Sequence, residues 1–395
     1  MKLFKGITKN VFALSIVSFL TDLSSEMIYP LLPVFLTSNL KASVSFLGLI
    51  EGIAESTASI LKLFSGWLSD KLNKRKSIIV FGYTLSSIVR PLISIVIAPF
   101  QVLIIRFLDR VGKGIRTSPR DALIADSVEK ENFGKAFGFQ RALDNLGAVF
   151  GPLVAFVLLS VFFCDLRVVF VFAAIPAIIT VITLIFFVQE KKKDPKENVL
   201  PPRLTLKPFN TNFKLYLLIL FIFTLGNSSD AFLLLRAKEC GISIVLLPIL
   251  WAVLHIVKSL SSMPAGILSD KLGRKPLIIS GWIIYGLVYL GFAFVTKSYQ
   301  IWILFAIYGL FYGLTEGVEK ALVADFVSSD IRATAYGIYN FTIGISALPS
   351  SLIMGLIWQH YGPICAFSFG ASLAFISLIL FILLVKIKKN TCCLT

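Results

Sequence analysis

The stretch Gly66-Trp67-Leu68-Ser69-Asp70-Lys71-Leu72-Asn73-Lys74 returns in the second half of the chain as Gly266-Ile267-Leu268-Ser269-Asp270-Lys271-Leu272-Gly273-Arg274. Each copy follows one long apolar run and precedes another, so each reads as a short charged turn between hydrophobic segments. Further matches keep almost the same offset: Ala122-Leu-Ile-Ala-Asp126 with Ala321-Leu-Val-Ala-Asp325, Ala136-Phe-Gly138 with Ala335-Tyr-Gly337, and Ser24-Ser25-Glu26 with Ser228-Ser229-Asp230. Self-similarity at a near-constant offset means that the chain is a duplication of one unit.

Of the 395 residues, 56% are hydrophobic and only 15% are charged, and the mean hydropathy is +0.85. A soluble domain of that composition would precipitate. Apolar runs of about 20 residues, long enough to cross a bilayer, recur from end to end. They predict twelve spans, at 12–36, 44–68, 78–98, 101–124, 136–161, 168–189, 215–236, 243–268, 277–296, 301–325, 334–358 and 364–386. The fold class expected is therefore an all-α membrane protein. The net charge of +16 is not a nucleic-acid signal, because the bases sit in short gaps between apolar runs, as topology signals do. Five cysteines without metal-ligand or C-x-x-C spacing predict no disulfide framework, no metal site and no cofactor. Cys392 and Cys393 read as a fortuitous tail rather than a lipid anchor. Met1 to Leu20 has no small-residue cleavage site and reads as the start of an uncleaved first span.

An even number of spans leaves both termini on one side. The segments on the opposite side carry only Lys41, Arg167, Arg236, Lys238 and Lys297, whereas the other loops and the termini are rich in Lys and Arg. The positive-inside rule thus predicts a multi-pass inner-membrane protein with both termini cytoplasmic. The polar stretch with Lys191 to Lys193 and Pro201-Pro202 divides the chain into a six-helix bundle at 1–189, a cytoplasmic linker at 190–214 and a second six-helix bundle with a short tail at 215–395. Six spans per half give the two copies the same orientation, as in transporters with a site between their halves.

The pattern Gly-x-x-x-Asp-[Arg/Lys]-x-Gly-[Arg/Lys], found twice, resembles the signature loop of the major facilitator superfamily, and the resemblance extends over the whole chain. Asn73 replaces the glycine in the first copy, and asparagine also tolerates a left-handed turn. The resemblance implies two bundles related by a pseudo-two-fold axis along the membrane normal. It implies alternating access, with spans one, four, seven and ten lining the cavity and three, six, nine and twelve outermost. It also implies a gate in each half, Asp70 with Lys74 and Asp126, and Asp270 with Arg274 and Asp325, that locks the outward-facing state; the alternative is that these charges only fix topology. The distribution of intramembrane charge picks the same outer helices. With the span-end bases Arg116, Arg120, Arg236 and Lys386 counted with the loops, spans three, six, nine and twelve hold Arg90 alone, whereas Asp22, Glu26, Arg106, Asp109, Arg110, Lys113, Asp121, Asp230, Glu316, Glu319 and Lys320 fall in the cavity-type spans, where such groups must face protein or water.

Helical spacing puts Arg106, Arg110 and Lys113 on one face of span four, with Asp109 beside Arg106 and Lys113. Three cations on one buried stripe need an anion, either internal, from Asp22, Glu26 or Asp144, or the substrate. Gly112 and Gly114 point to close helix approach or local unwinding. Arg106, Arg110, Arg141, Lys258, Tyr308, Tyr312, Tyr336 and Asn340 are the candidate substrate-binding residues; the tyrosine stripes fit a wet cavity or a helix seam. Asp22 and Glu26 share a face of span one ahead of Tyr29, Pro30 and Pro33, and Asp230 is the repeat partner of Glu26. With Glu316 and His255 they are the candidate proton carriers, a salt bridge to span four or five being the competing role for the first pair. Arg141 and Asp144, followed by Gly147-x-x-x-Gly151-Pro152, resemble the antiporter motif of drug exporters, with Ala155-Phe156 where a glycine pair is expected. Helix packing through small residues explains the same positions. Glu51 and Glu55 answer to Trp251 and His255 in the second copy, so the repeat is electrically asymmetric.

There is no Walker loop, no G-x-S-x-G and no metal cluster, which argues against an enzyme or a primary pump. The sequence predicts a monomeric secondary transporter, symporter or antiporter, of a small anionic or zwitterionic solute such as a carboxylate, with the proton as coupling ion. A multidrug exporter of lipophilic or cationic compounds is the alternative within the class. A receptor or scaffold without transport explains the spans but not the duplicated loops.

Overall fold

The computed structural model describes residues 8–72, 74–129, 132–163, 165–190, 206–327 and 331–386. The side chain of Asp70, all of Asn73, linker residues 191–205 and the cysteine tail lie outside that description.

Helix α1 (Lys9–Ile28) starts where the Thr8 hydroxyl accepts from the Val11 N–H. It ends at Tyr29-Pro30, because Pro30 and Pro33 cannot donate to the helical ladder, and the chain continues through short 3-10 and π turns to Asn39. There follow α2 (Val44–Leu72), α3 (Arg75–Val89), α4 (Pro99–Asp126), α5 (Phe133–Ser160) and α6 (Leu166–Phe187). The second half holds α7 (Thr211–Glu239), α8 (Leu247–Leu272), α9 (Arg274–Phe294) and α10 (Ser298–Phe326). The last segment, Arg332–Leu384, is two helices, α11 (332–361) and α12 (363–384), that meet at Gly362 with φ 84°.

Among the described residues, ten segments are long and apolar enough to cross a membrane. The sequence predicts twelve, and the difference lies in the composition of one helix and the joining of two others. Helix α4 has the length, 28 residues, but too many charges to qualify, and α11 with α12 form one continuous segment.

The halves repeat one packing scheme. Helix α1 packs on α5 and α6, and α2 and α3 pack on α4; correspondingly α7 packs on the α11–α12 segment, and α8 and α9 pack on α10. The halves meet where α2 runs against α11 and α5 against α8. A Cβ on Gly48 of α2 would collide with the Ser351 carbonyl of α11, so only glycine permits that approach. Helix α6 turns Ile175, Ile178, Ile182 and Ile185 outward at helical spacing, which is a lipid-facing stripe. The second half is glued by aromatic stacking, with Phe223 4.4 Å from Trp282 and Tyr285 4.3 Å from Tyr289 between ring centres.

One asymmetry falls at the centre. Helix α1 is continuous through Asp22 and Glu26, but α7 unwinds at 227–230 and restarts at Ala231 with Asp230 in the capping position. A broken helix at mid-membrane exposes polar backbone only where it faces protein or a cavity.

Candidate functional site

Helix α4 supplies the core of the site. Arg106, Asp109, Arg110 and Arg116 are all buried on it. Gly112 and Gly114 let α3 and α2 approach until a Cβ at either would touch backbone or side chain across the contact, and α4 stays helical throughout. Close approach, not unwinding, is their use.

The charges on α4 are neutralised by partners that spacing within the helix does not reveal. Arg106 makes a forked contact with Glu51 of α2, its Nη2 at 2.8 Å from both carboxylate oxygens and its Nε at 3.1 Å from Oε1. Asp109 pairs with Arg90, which follows α3 at the start of a 3-10 turn, at 2.9 Å rather than with Arg106 or Lys113. Arg110 reaches Glu55 at 3.5 Å, and its Nε is buried without a hydrogen-bond partner. Arg116 donates to the Ser86 hydroxyl at 2.7 Å and lies 4.3 Å over the Tyr83 ring. Lys113 makes no ion pair with a described residue.

Across the seam, Trp251 of α8 donates its indole N–H to Glu26 at 2.8 Å, and its ring packs at a tilt against Tyr29 with 5.1 Å between centres. Asp230 accepts from the hydroxyls of Tyr308 at 2.7 Å and Tyr312 at 2.8 Å. Glu316, one helical turn beyond Tyr312, pairs with Lys258 at 2.7 Å and Lys320 at 3.8 Å. Lys258 also lies 4.7 Å over the Tyr312 ring. His255 packs edge-on to Trp251, with its Nε2 buried and unpartnered.

These groups surround two chambers. The inner one, about 180 Å³, is lined by Asp22, Glu26, Tyr29, Glu55, Arg106, Arg110, Lys113, Arg116, Asp230 and Trp251. The second, about 610 Å³, is lined by Asp22, Lys62, Lys113, Arg116, Arg120, Asp121, Arg141, Asp144, Glu316, Lys320, Tyr336 and Asn340. Asp22, Lys113 and Arg116 line both. The second chamber extends toward the ends of α2, α4 and α10 that lead into or face the signature loops. At the opposite end the halves are tied together by Ser45 to Gln359 at 2.5 Å and Lys238 to Ser38 at 2.5 Å, and beside the inner chamber by Ser229 to Glu51 at 3.3 Å.

Several expectations change. The Arg106 charge is spent on Glu51, so it is not a free anion site. Arg141 pairs with Asp144 at 3.1 Å within α5, and Tyr336 and Asn340 hydrogen-bond to nearby backbone while lining the outer chamber. Gly147 and Gly151 seat α5 against α1, where a Cβ would meet the Phe19 and Leu23 carbonyls beside Asp22 and Glu26; packing accounts for them. In the second half, Arg274 joins Asp270 at 2.5 Å and Asp325 at 3.3 Å, and Gly273 turns with φ 92°, a conformation that glycine favours. In the first half Asp126 contacts Arg75, the next residue after Lys74. The residues that sequence reasoning left without a role are Lys62, Arg90, Arg116, Trp251 and Glu319; the last is buried and held by Trp282 and Tyr339 at 3.0 Å each.

A sequence profile described as Major Facilitator Superfamily matches residues 14–257 and 216–391. The chain belongs to the major facilitator superfamily. An uncharacterized MFS-type transporter of Methanocaldococcus jannaschii is 41% identical over 386 residues, 96% of each chain. The quinolone resistance protein NorA of Staphylococcus aureus is 29% identical over 227 residues, 56% of each chain. A mutant of the nucleoside transporter NupG matches in structure with a TM-score of 0.80 over 94% of this chain and 98% of that one, at 14% identity. A POT family transporter in complex with 5-aminolevulinic acid also reaches 0.80, over 94% and 95%, at 12% identity. Identities that low show the fold alone. As a superfamily member the protein is a multi-pass membrane secondary transporter of a small molecule and not an enzyme.

Proposed function

We propose that the transported solute is a small organic anion or zwitterion, carboxylates included, and that its movement is coupled to protons. The observation that carries this reading is Lys113, a cation shared by both chambers with no acid in ion-pair contact among the described residues, next to Arg116, whose described partners Ser86 and Tyr83 are neutral. Lys113 is half-buried, and a cation partly withdrawn from water without an ion-pair partner is stabilised by an anionic solute. A zwitterion adds a positive end for Asp22, Glu26 or Asp230.

A proton carrier must change charge without breaking an ion pair. Asp22, Glu26 and Asp230 meet that condition, since neutral donors alone hold Glu26 and Asp230. Glu316 is tied to two lysines and is the weaker candidate. With the basic loops in the cytoplasm, the outer chamber faces inward and both termini are cytoplasmic. The links of Arg274 to Asp270 and Asp325 then form a cytoplasmic latch in the second half, answered by Arg75 and Asp126 in the first.

Drug export is the second reading, favoured by the partial likeness to a protein named for quinolone resistance; the charge density around the inner chamber weighs against a lipophilic cargo. Thermal unfolding of the purified protein with carboxylate anions, amino acids and lipophilic cations tests the choice. Stabilisation by anions or zwitterions that is lost in Lys113→Gln is expected; stabilisation by lipophilic cations alone overturns the proposal.

A further inference from the structure

Lys62 of α2 lines the outer chamber and, like Lys113, makes no ion pair with a described residue. Lys320 of α10 lines the same chamber from the other half. Its one acid, Glu316 at 3.8 Å, is held more closely by Lys258 at 2.7 Å. The remaining charges of the chamber pair off locally: Arg120 with Asp121 at 2.8 Å and Arg141 with Asp144 at 3.1 Å. What is left is Lys62, Lys113, Arg116 and a half-satisfied Lys320 against the single carboxylate of Asp22. The repeat does not require this arrangement, since Lys320 stands where the first half has Asp121. The surplus is thus local to the outer chamber, where it straddles the two halves; in the inner chamber Asp22, Glu26 and Asp230 offset Lys113 and Arg116, so an anion binds there with those carboxyls protonated.

We propose that the solute carries at least two anionic groups, one held in the inner chamber by Lys113 and Arg116 and the other in the outer chamber by Lys62 from one half and Lys320 from the other. This rests on the anion reading above and narrows it to a dianion or higher. The geometry gives the second anionic group a task. An anion bound by lysines from both halves pulls the signature-loop ends of α2 and α10 together, so the outer chamber closes only on a solute with charge at both places. Lys113, common to the two chambers, makes them one continuous binding path and not two separate sites.

The test uses the full-length protein in nanodiscs, with acetate, glycine, succinate and citrate titrated at constant ionic strength and binding read from tryptophan fluorescence. Succinate and citrate are expected to bind at least tenfold more tightly than acetate or glycine. Lys62→Gln and Lys320→Gln each lower the dianion affinity by about tenfold, one such contact being of that order, and leave the monoanion affinity within twofold; Lys62→Arg and Lys320→Arg restore it. If acetate or glycine binds as tightly as succinate, or if both Gln variants keep wild-type succinate affinity, the dianion proposal is wrong while the anion reading stands. If none of the four binds and a lipophilic cation does, the anion reading falls and this inference with it.

Discussion

Trp251 donates its indole N–H to the carboxylate of Glu26 at 2.8 Å, from α8 in the second half to α1 in the first. Helix α1 presents Glu26 one turn beyond Asp22 on the cavity face, and α8 offers a neutral donor where the first half has Glu51. The contact couples the seam between the halves to a carboxyl that carries no ion pair, so a change in the charge of Glu26 changes how firmly the halves hold together.

That coupling is measurable as a double-mutant cycle. Trp251→Phe keeps the ring against Tyr29 and removes the donor, and Glu26→Gln removes the charge. A hydrogen bond to a charged group is worth about 1.5–3 kcal/mol, and the two substitutions should be non-additive by that order in unfolding free energy. Simple additivity would mean that the bond contributes nothing across the seam.

The Arg106–Glu51 fork sits in nearly dry surroundings, with the Glu51 side chain 1% exposed. Glu51→Gln leaves a buried guanidinium without its counter-charge and should cost about 3–5 kcal/mol. The double replacement Glu51→Leu with Arg106→Met should recover most of that loss. Thermal unfolding of the three variants checks the order; a Glu51→Gln variant as stable as wild type would show the pair to be hydrated.

Replacing Asp22, Glu26 or Asp230 by its amide should, for the true carrier, abolish gradient-driven accumulation in proteoliposomes while leaving exchange intact. Uphill transport by all three variants would move the coupling to Glu316 or His255.

For the signature loops, Asp270→Asn and Asp126→Asn should lower turnover much more than affinity. Arg75→Gln should behave as Asp126→Asn does, with Lys74→Gln near wild type. Wild-type turnover in Asp270→Asn and Asp126→Asn together would reduce the loops to topology signals. A Lys193→Cys variant in intact cells tests orientation, since labelling by an impermeant reagent from outside would invert it.

Most of the fold is legible in the sequence, because apolar runs, charged turns and a duplicated motif are each written in consecutive residues. The site is less legible. That Arg106, Arg110 and Lys113 share a face follows from helical periodicity, but the partners of Arg106 and Arg110, Glu51 and Glu55, come from α2, and such a pairing is set by how neighbouring helices are rotated. The same limit explains Arg90, an isolated charge on an outer span whose partner Asp109 was expected to serve α4 itself. Asp230 was identified through its repeat partner Glu26, yet the unwinding of α7 just before it has no counterpart in α1, and duplication gave no hint of it. Arg75 replaces Lys74 at Asp126 because a helix that starts at Arg75 directs that side chain across to α4.

The measurement that bears most directly on the transport mechanism is proton movement in proteoliposomes that trap a pH-sensitive dye, recorded as anionic, zwitterionic and lipophilic cationic solutes are added outside. The expected result is proton flux on addition of a carboxylate-bearing anion or zwitterion, absent from empty liposomes and lost in Lys113→Gln. Flux elicited only by lipophilic cations, or flux that Lys113→Gln leaves unchanged, would contradict it.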